Sequence, residues 1–220
     1  MRAKHMKATL LAAAAVFAVG AQAQDNTTAG IEAYREALQD GNPADLYVDS
    51  GAEIWKKKAG PKDASLEKCD LGLGPGKVKG AYAQLPRYFK DTNKVQDLES
   101  RLLTCMEKLQ GVDTAPIIKA GFTSPQKADL VALSAYVSSE SKGMKVKVSL
   151  AHPKEKQMYD LGRRLFYYEA GQYDFACATC HGQEGKRIRL QDLPYIPSAE
   201  GAAKGWTTWP AYRVSSGQMW

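Results

Sequence analysis

The sequence predicts a mainly α-helical chain of two small domains, and three observations carry that reading. Apolar residues recur at helical spacing both before and after residue 146. A helix-poor stretch, Lys142 to Lys154, lies between the two sets and places Pro153 directly after His152, as an extended linker would. The third observation is the run Cys177-Ala178-Thr179-Cys180-His181, which says what kind of helical domain the second half is.

Cys-x-x-Cys-His is the attachment sequence of a c-type haem. Two thiols three residues apart add to the porphyrin vinyl groups, and the imidazole that follows falls beneath the iron as its proximal ligand. A thioredoxin-type pair would follow an apolar strand, which Gln172-Tyr-Asp-Phe-Ala176 is not. A zinc knuckle would need a second close pair of ligands, whereas Cys69 and Cys105 stand far apart. Gly182-Gln-Glu-Gly185 suits backbone passing close to a flat cofactor. The predicted fold is therefore two cytochrome c-like domains. Residues 24–146 form the first, without haem, and residues 147–220 the second, with one c-type haem and cut short at its carboxyl end.

The elements follow in chain order. Met1 to Lys7 is a basic n-region, Ala8 to Gly20 an apolar run, and Ala21-Gln22-Ala23 a small-x-small cleavage site, so residues 1–23 read as an export signal and the mature chain starts at Gln24. The run is too short to span a bilayer, and no later stretch could span one. Export to the periplasm agrees with covalent haem attachment, which happens outside the cytoplasm, and it permits disulfides. The sequon Asn26-Thr27-Thr28 reads as a plain polar terminus. Lys and Arg number 30 against 24 Asp and Glu, and losing Arg2, Lys4 and Lys7 with the signal lowers 30 to 27. That balance gives no ground for a nucleic-acid partner and is compatible with an anionic substrate or an acidic protein.

In the first domain Gly51 to Lys58 reads as a short helix, with Lys56-Lys57-Lys58 as its solvated, dipole-favoured end. Asp97 to Gln110 is a second helix, with Leu98, Leu102, Cys105, Met106 and Leu109 on one face. Ser124 caps a third, running to Ser139, with Pro125 at its first position. Cys69 lies in the loop between the first two. In an exported protein Cys69 and Cys105 either pair, closing a loop worth about 3 to 4 kcal/mol, or stay as buried thiols.

In the second domain Met158, Leu161 and Leu165 mark a helix that ends before Gly171. Gly162 and Phe166 lie four apart on it, either as a close-crossing site for another helix or as ordinary core. His152 reads as a linker residue. Trp206 to Tyr212 is a loop near the haem, and a closing helix should come after it, so the chain is expected to lack its carboxyl end. Lys186, Arg187 and Arg189 read either as a field attracting an anion to the haem edge or as a solvated loop. Met219 is either a sixth iron ligand, which would make this a plain electron carrier, or a core or surface residue.

Four segments together carry a family resemblance: Leu66-Glu-Lys-Cys-Asp-Leu-Gly72, Gly80-Ala-Tyr-Ala-Gln-Leu-Pro-Arg-Tyr88, Gly171 to Gly182, and Pro210-Ala-Tyr-Arg-Val-Ser-Ser-Gly-Gln-Met-Trp220. With them the chain resembles the SoxA subunits of SoxAX cytochromes. The resemblance implies a periplasmic L-cysteine S-thiosulfotransferase, formed as a heterodimer with a SoxX-type cytochrome. Such an enzyme joins thiosulfate to a cysteine of a SoxYZ-type carrier and sends electrons to the SoxX haem. It further implies the single-haem branch, with Cys69 and Cys105 as a disulfide, Cys177 and Cys180 as thioether positions and His181 as proximal ligand. The family's catalytic cysteine, which also ligates the iron as a persulfide, lies beyond the Pro-Ala-Tyr-Arg segment. No cysteine follows Cys180, so none of the 220 residues matches it.

Overall fold

Pro43–Lys56 forms helix α1, which starts eight residues earlier than the Gly51 boundary expected from the sequence. Asp45 in its first turn and Lys56 in its last both favour the helix dipole. It can cross close to α4 (Ala128–Ser139) because position 51 has no side chain. A Cβ there would lie 2.0 Å from the Ala132 carbonyl oxygen and 2.7 Å from the Tyr136 Cβ, so any residue but glycine would force the helices apart. Trp55 and Tyr136 meet beside the crossing, with ring centroids 6.1 Å apart.

The computed structural model describes residues 29–30, 33, 36, 43–121, 124–188, 191–205, 214–215 and 218–219. The export signal, the Asn26 sequon, Arg189 and the Trp206 to Tyr212 loop lie outside the described residues. By packing, the chain divides into residues 1–43 and residues 44–220. In the first unit the described positions are helical; the account below concerns the second.

After α1 the chain runs through a loop that holds Leu66, Cys69 and Leu71, all fully buried, and reaches a two-stranded hairpin, β1 (Arg87–Phe89) and β2 (Lys94–Gln96). The strands are antiparallel with Tyr88 opposite Val95, and Asn93 takes the left-handed conformation their turn requires. Helix α2 (Leu98–Cys105) follows, and the Asp97 carboxylate caps it by accepting the Ser100 N–H at 2.9 Å. Leu98, Leu102, Cys105 and Met106 face inward, as the spacing predicts. Beyond Cys105 the helix widens into a π turn, Met106–Gln110, and stops at Gly111, whose φ is 73°. Short helix α3 (Ala115–Lys119) and a 3-10 turn at Pro125–Lys127 lead into α4.

Cys69 and Cys105 are joined as a disulfide that ties the first loop to α2. Around it lie Leu66, Leu102, Leu133 and Val137, none more than 0% exposed. At the edge of this core Arg101, itself buried, places its Nη1 2.9 Å from both Asp91 oxygens and its guanidinium 4.0 Å above the Phe89 ring. Burial pushes the Asp91 carboxyl up, but hydrogen bonds from Lys108 and Arg101 outweigh it and hold the group below the usual aspartate value.

Residues 144–151 run without turn or bend to α5 (Pro153–Phe166). His152 is more than the linker residue its position suggests, because it caps α5: its Nδ1 accepts the Lys154 N–H at 3.2 Å. Its ring stacks on Tyr88 of β1 at 3.6 Å with planes 3° apart. Glu155, 7% exposed, accepts the N–H of Tyr88 at 2.8 Å and that of His152 at 3.1 Å, and so holds α5 onto the hairpin. Among the described residues no helix is long and apolar enough to cross a membrane.

Candidate functional site

The Cys-x-x-Cys-His run is a helix, α6 (Cys177–His181), packed beside α5. Local chemistry shapes it. Gly171, with φ 85°, and Asp174, with φ 49°, turn the chain so that the Ala170 N–H donates to the Phe175 carbonyl at 3.2 Å. Thr179, one of the two unspecified positions of the motif, reaches back to accept the Ala176 N–H at 3.0 Å and caps the helix start. The Gly182 N–H closes it on the Ala178 carbonyl at 2.8 Å. A Cβ at 182 would sit 2.5 Å from that same oxygen, which accounts for the glycine after the histidine.

Cys177 and Cys180 are both exposed free thiols, one turn apart on a single short helix. His181 is half-buried, with its Nδ1 3.0 Å from the Pro194 carbonyl oxygen. A carbonyl can only accept, so Nδ1 carries the proton and the lone pair sits on Nε2, the form a metal ligand needs. The acceptor is itself fixed. The Ile196 N–H donates to the His181 carbonyl at 3.1 Å, and the Tyr195 N–H donates to the Gly201 carbonyl at 3.2 Å at the start of α7 (Ala199–Gly205). Pro194 and Gly201 are buried.

The chemistry of this donor set fits a covalently held haem. Two thiols at thioether spacing precede an imidazole already oriented through its other nitrogen. The neighbouring surface fits as well: α5 turns Met158, Leu161 and Leu165 outward on one face, and Phe175 before α6 is 63% exposed. Such a face is what a flat apolar macrocycle would cover. Among the described residues no group of three or more His, Cys, Asp or Glu side chains could hold a metal ion, so a bare ion has no cage of that kind here.

Other residues singled out from sequence fall elsewhere. Gly162 has open space beside it, and the close helix crossing among the described residues is at Gly51. Lys186 is exposed, while Arg187 pairs with Asp192 at 2.8 Å across a small hairpin, β3 (Arg187–Ile188) and β4 (Gln191–Asp192). Met219 belongs to β6 (Gln218–Met219), paired opposite Val214 of β5 (Val214–Ser215). Sequence reasoning missed Thr179, Pro194, His152 and Glu155. The Pro153 and Glu155 that follow His152 were the legible signal of a helix start there.

Comparison with known proteins gives the family. A family model described as "SoxA/TsdA, cytochrome c domain" matches residues 50–146. The L-cysteine S-thiosulfotransferase subunit SoxA of Hydrogenophilus thermoluteolus is 56% identical over 190 residues, covering 86% of this chain and 70% of that protein. The chain belongs to the SoxA family. A second SoxA, from Hydrogenobacter thermophilus, is 40% identical over 181 residues, covering 81% of this chain and 64% of its own length. The crystal structure of SoxXA from P. pantotrophus superimposes with a TM-score of 0.56 at 28% identity, covering 70% of this SoxA-family chain and 55% of that one. The chain thus spans roughly two thirds of the relatives it matches. Family membership makes it a c-type cytochrome chain of the L-cysteine S-thiosulfotransferase subunits.

Proposed function

We propose that this chain is the haem subunit of a periplasmic complex that conjugates thiosulfate to a cysteine of a SoxYZ-type carrier and passes the electrons to a SoxX-type partner cytochrome. The observation that supports this most is α6, with two exposed thiols and a tautomer-fixed histidine, in a chain so similar to SoxA. Joining the outer sulfur of thiosulfate to a thiol forms one S–S bond, releases the thiol proton and yields two electrons, which the partner cytochrome accepts. When bound, a c-type haem supplies one-electron redox chemistry. Cys177 and Cys180 would anchor it and His181 would ligate its iron through Nε2, while the Pro194 carbonyl keeps that ring oriented. Met158, Leu161 and Leu165 would exclude water from it.

The rest of the proposed organisation follows from the same reading. Residues 1–23 are an export signal, residues 24–146 a haem-free cytochrome c-like domain held by the Cys69–Cys105 disulfide, and residues 147–220 the domain with the single haem. None of the residues present is assigned the sulfur-transfer step, and Lys186 is a solvated side chain.

Mass spectrometry of protein made with haem-maturation machinery, reduced and denatured, tests the cofactor assignment: the expected mass carries one haem, and a mass with two would contradict it. Thiosulfate-dependent reduction of the partner cytochrome, with the carrier present and absent, tests the reaction. Loss of a methionine-to-iron absorption band in Met219→Ala would instead establish the electron carrier.

A further inference from the structure

The segment between Gly143 and Ala151 touches the rest of the chain at Gly80, through Met144, and at Ala83, through the Lys147 amide, yet leaves most of its apolar surface exposed. Met144, Val146, Val148 and Leu150 recur at every second position, and they are 37%, 51%, 38% and 45% exposed. Lys145 and Lys147 alternate with them and are exposed too. Period-two alternation is the pattern of a strand with one apolar face. The chain here runs free of turns and bends, yet among the described residues no strand pairs with it. Among the described residues its amides donate at only two places, Met144 to Ser141 and Lys147 to Ala83, and no carbonyl from 144 to 150 accepts a bond. Residues 142–150 contain three lysines and no carboxylate.

We propose that residues 144–150 are a docking edge for an acidic β-strand of a partner protein. Unpaired backbone donors and acceptors supply the ladder, and the four apolar side chains line one face, beside which the alternate side chains of an added strand would lie. Charge selects the occupant. A second copy pairing antiparallel would bring Lys145 and Lys147 against the same lysines of its mate, and like charges directly opposite destabilise a strand pair. A strand with glutamate or aspartate at alternate positions meets them with opposite charge, and steering by the three lysines raises its encounter rate. The lysines therefore guard the edge against its own kind while leaving it open to an acidic strand. This inference does not depend on the haem or on the sulfur chemistry.

Hydrogen exchange of the haem-loaded full chain, at low salt, tests it. The probes are the peptide acetyl-Glu-Val-Glu-Val-Glu-Val-Glu-amide and its lysine counterpart. The acidic peptide is expected to slow exchange of the amides of Val146, Val148 and Leu150, which lie on the edge opposite the Lys147–Ala83 bond, and the lysine peptide to leave them unchanged. Lys145→Glu with Lys147→Glu changes only exposed side chains and should weaken binding about tenfold, two cross-strand charge pairs being reversed. Val148→Pro removes an amide donor and should weaken binding while the haem spectrum stays the same. Equal protection by both peptides, protection by neither, or protection that appears on concentrating the chain alone would each overturn the proposal.

Discussion

Residues 55–137 and residues 153–205 solve the same problem in opposite ways. In the first stretch the apolar side chains meet one another: among the described residues, every hydrophobic side chain of the core falls between Trp55 and Val137. A disulfide closes that core and a buried arginine pairs at its rim. In the second stretch the helical periodicity is as clear, yet Met158, Leu161, Leu165, Tyr168 and Phe175 stand exposed. The difference teaches that the same amphipathic pattern can be written for a polypeptide core or for a cofactor. Where two thiols and a histidine sit beside the apolar face, the second is the better reading. On that reading the first region is stabilised by its own chain, and the second by the haem proposed for it.

The largest effect should come from taking away what the second region binds. Cys177→Ala with Cys180→Ala is expected to abolish covalent haem, seen as loss of haem stain on a denaturing gel. Limited proteolysis should then cut residues 153–205 while residues 55–137 resist. Should both regions become equally sensitive, the contrast between them would be wrong. His181→Ala should keep the thioether bonds but change the iron's absorption spectrum.

Next comes the converse experiment on the first region. Cys69→Ser with Cys105→Ser opens a bridge between residues 36 apart in sequence and should cost about 3 to 4 kcal/mol in denaturant unfolding. Haem stain should remain. A loss below about 1 kcal/mol would mean that the surrounding leucines hold this region unaided.

How far each region could be read in advance follows the same division. The helices carrying Leu102 and Leu133 were legible because a 3.6-residue period is written locally, and the spacing of Cys177, Cys180 and His181, which carries the proposed haem site, is local in the same way. The β1–β2 hairpin was not legible, since Arg87–Phe89 and Lys94–Gln96 are each too short to show a period. The crossing at Gly51 was missed because a glycine shows its purpose only when the partner, Ala132, is in place. The Pro194 carbonyl was invisible for a plainer reason: a backbone acceptor leaves no mark in sequence, and its role depends on where the chain returns to His181.

Glu155, at the seam between the regions, should give a smaller effect. Glu155→Ala would leave the half-buried N–H groups of Tyr88 and His152 without this acceptor, a loss of about 2 kcal/mol. Burial alone would push this carboxyl up, but the two backbone N–H donors, the Ser149 hydroxyl and the Arg87 charge hold it below the ordinary glutamate value. A lowered folded pKa means the stabilisation is full above the unfolded value and is lost as pH falls through the folded one. Stability of the natural chain should therefore drop on the acid side of the ordinary glutamate range, and Glu155→Gln should flatten that slope. An unchanged slope would place the seam's stability elsewhere.

The smallest expected effect is at His152, and it tests whether the seam is a cap or only a contact. Its Nδ1 accepts the Lys154 N–H, a donor that no carbonyl of the helix can reach, and its ring lies flat on Tyr88. Replacing it with alanine removes both interactions and should cost about 1 kcal/mol, the usual worth of an N-cap. Asparagine can accept the same N–H but cannot stack, so His152→Asn should restore most of the loss if capping dominates. Tyr88→Leu removes the stacking partner and leaves the cap intact. Equal losses in His152→Asn and His152→Ala, matched by Tyr88→Leu, would mean that the ring contact with β1, and not the start of α5, is what joins the disulfide-held region to the haem region.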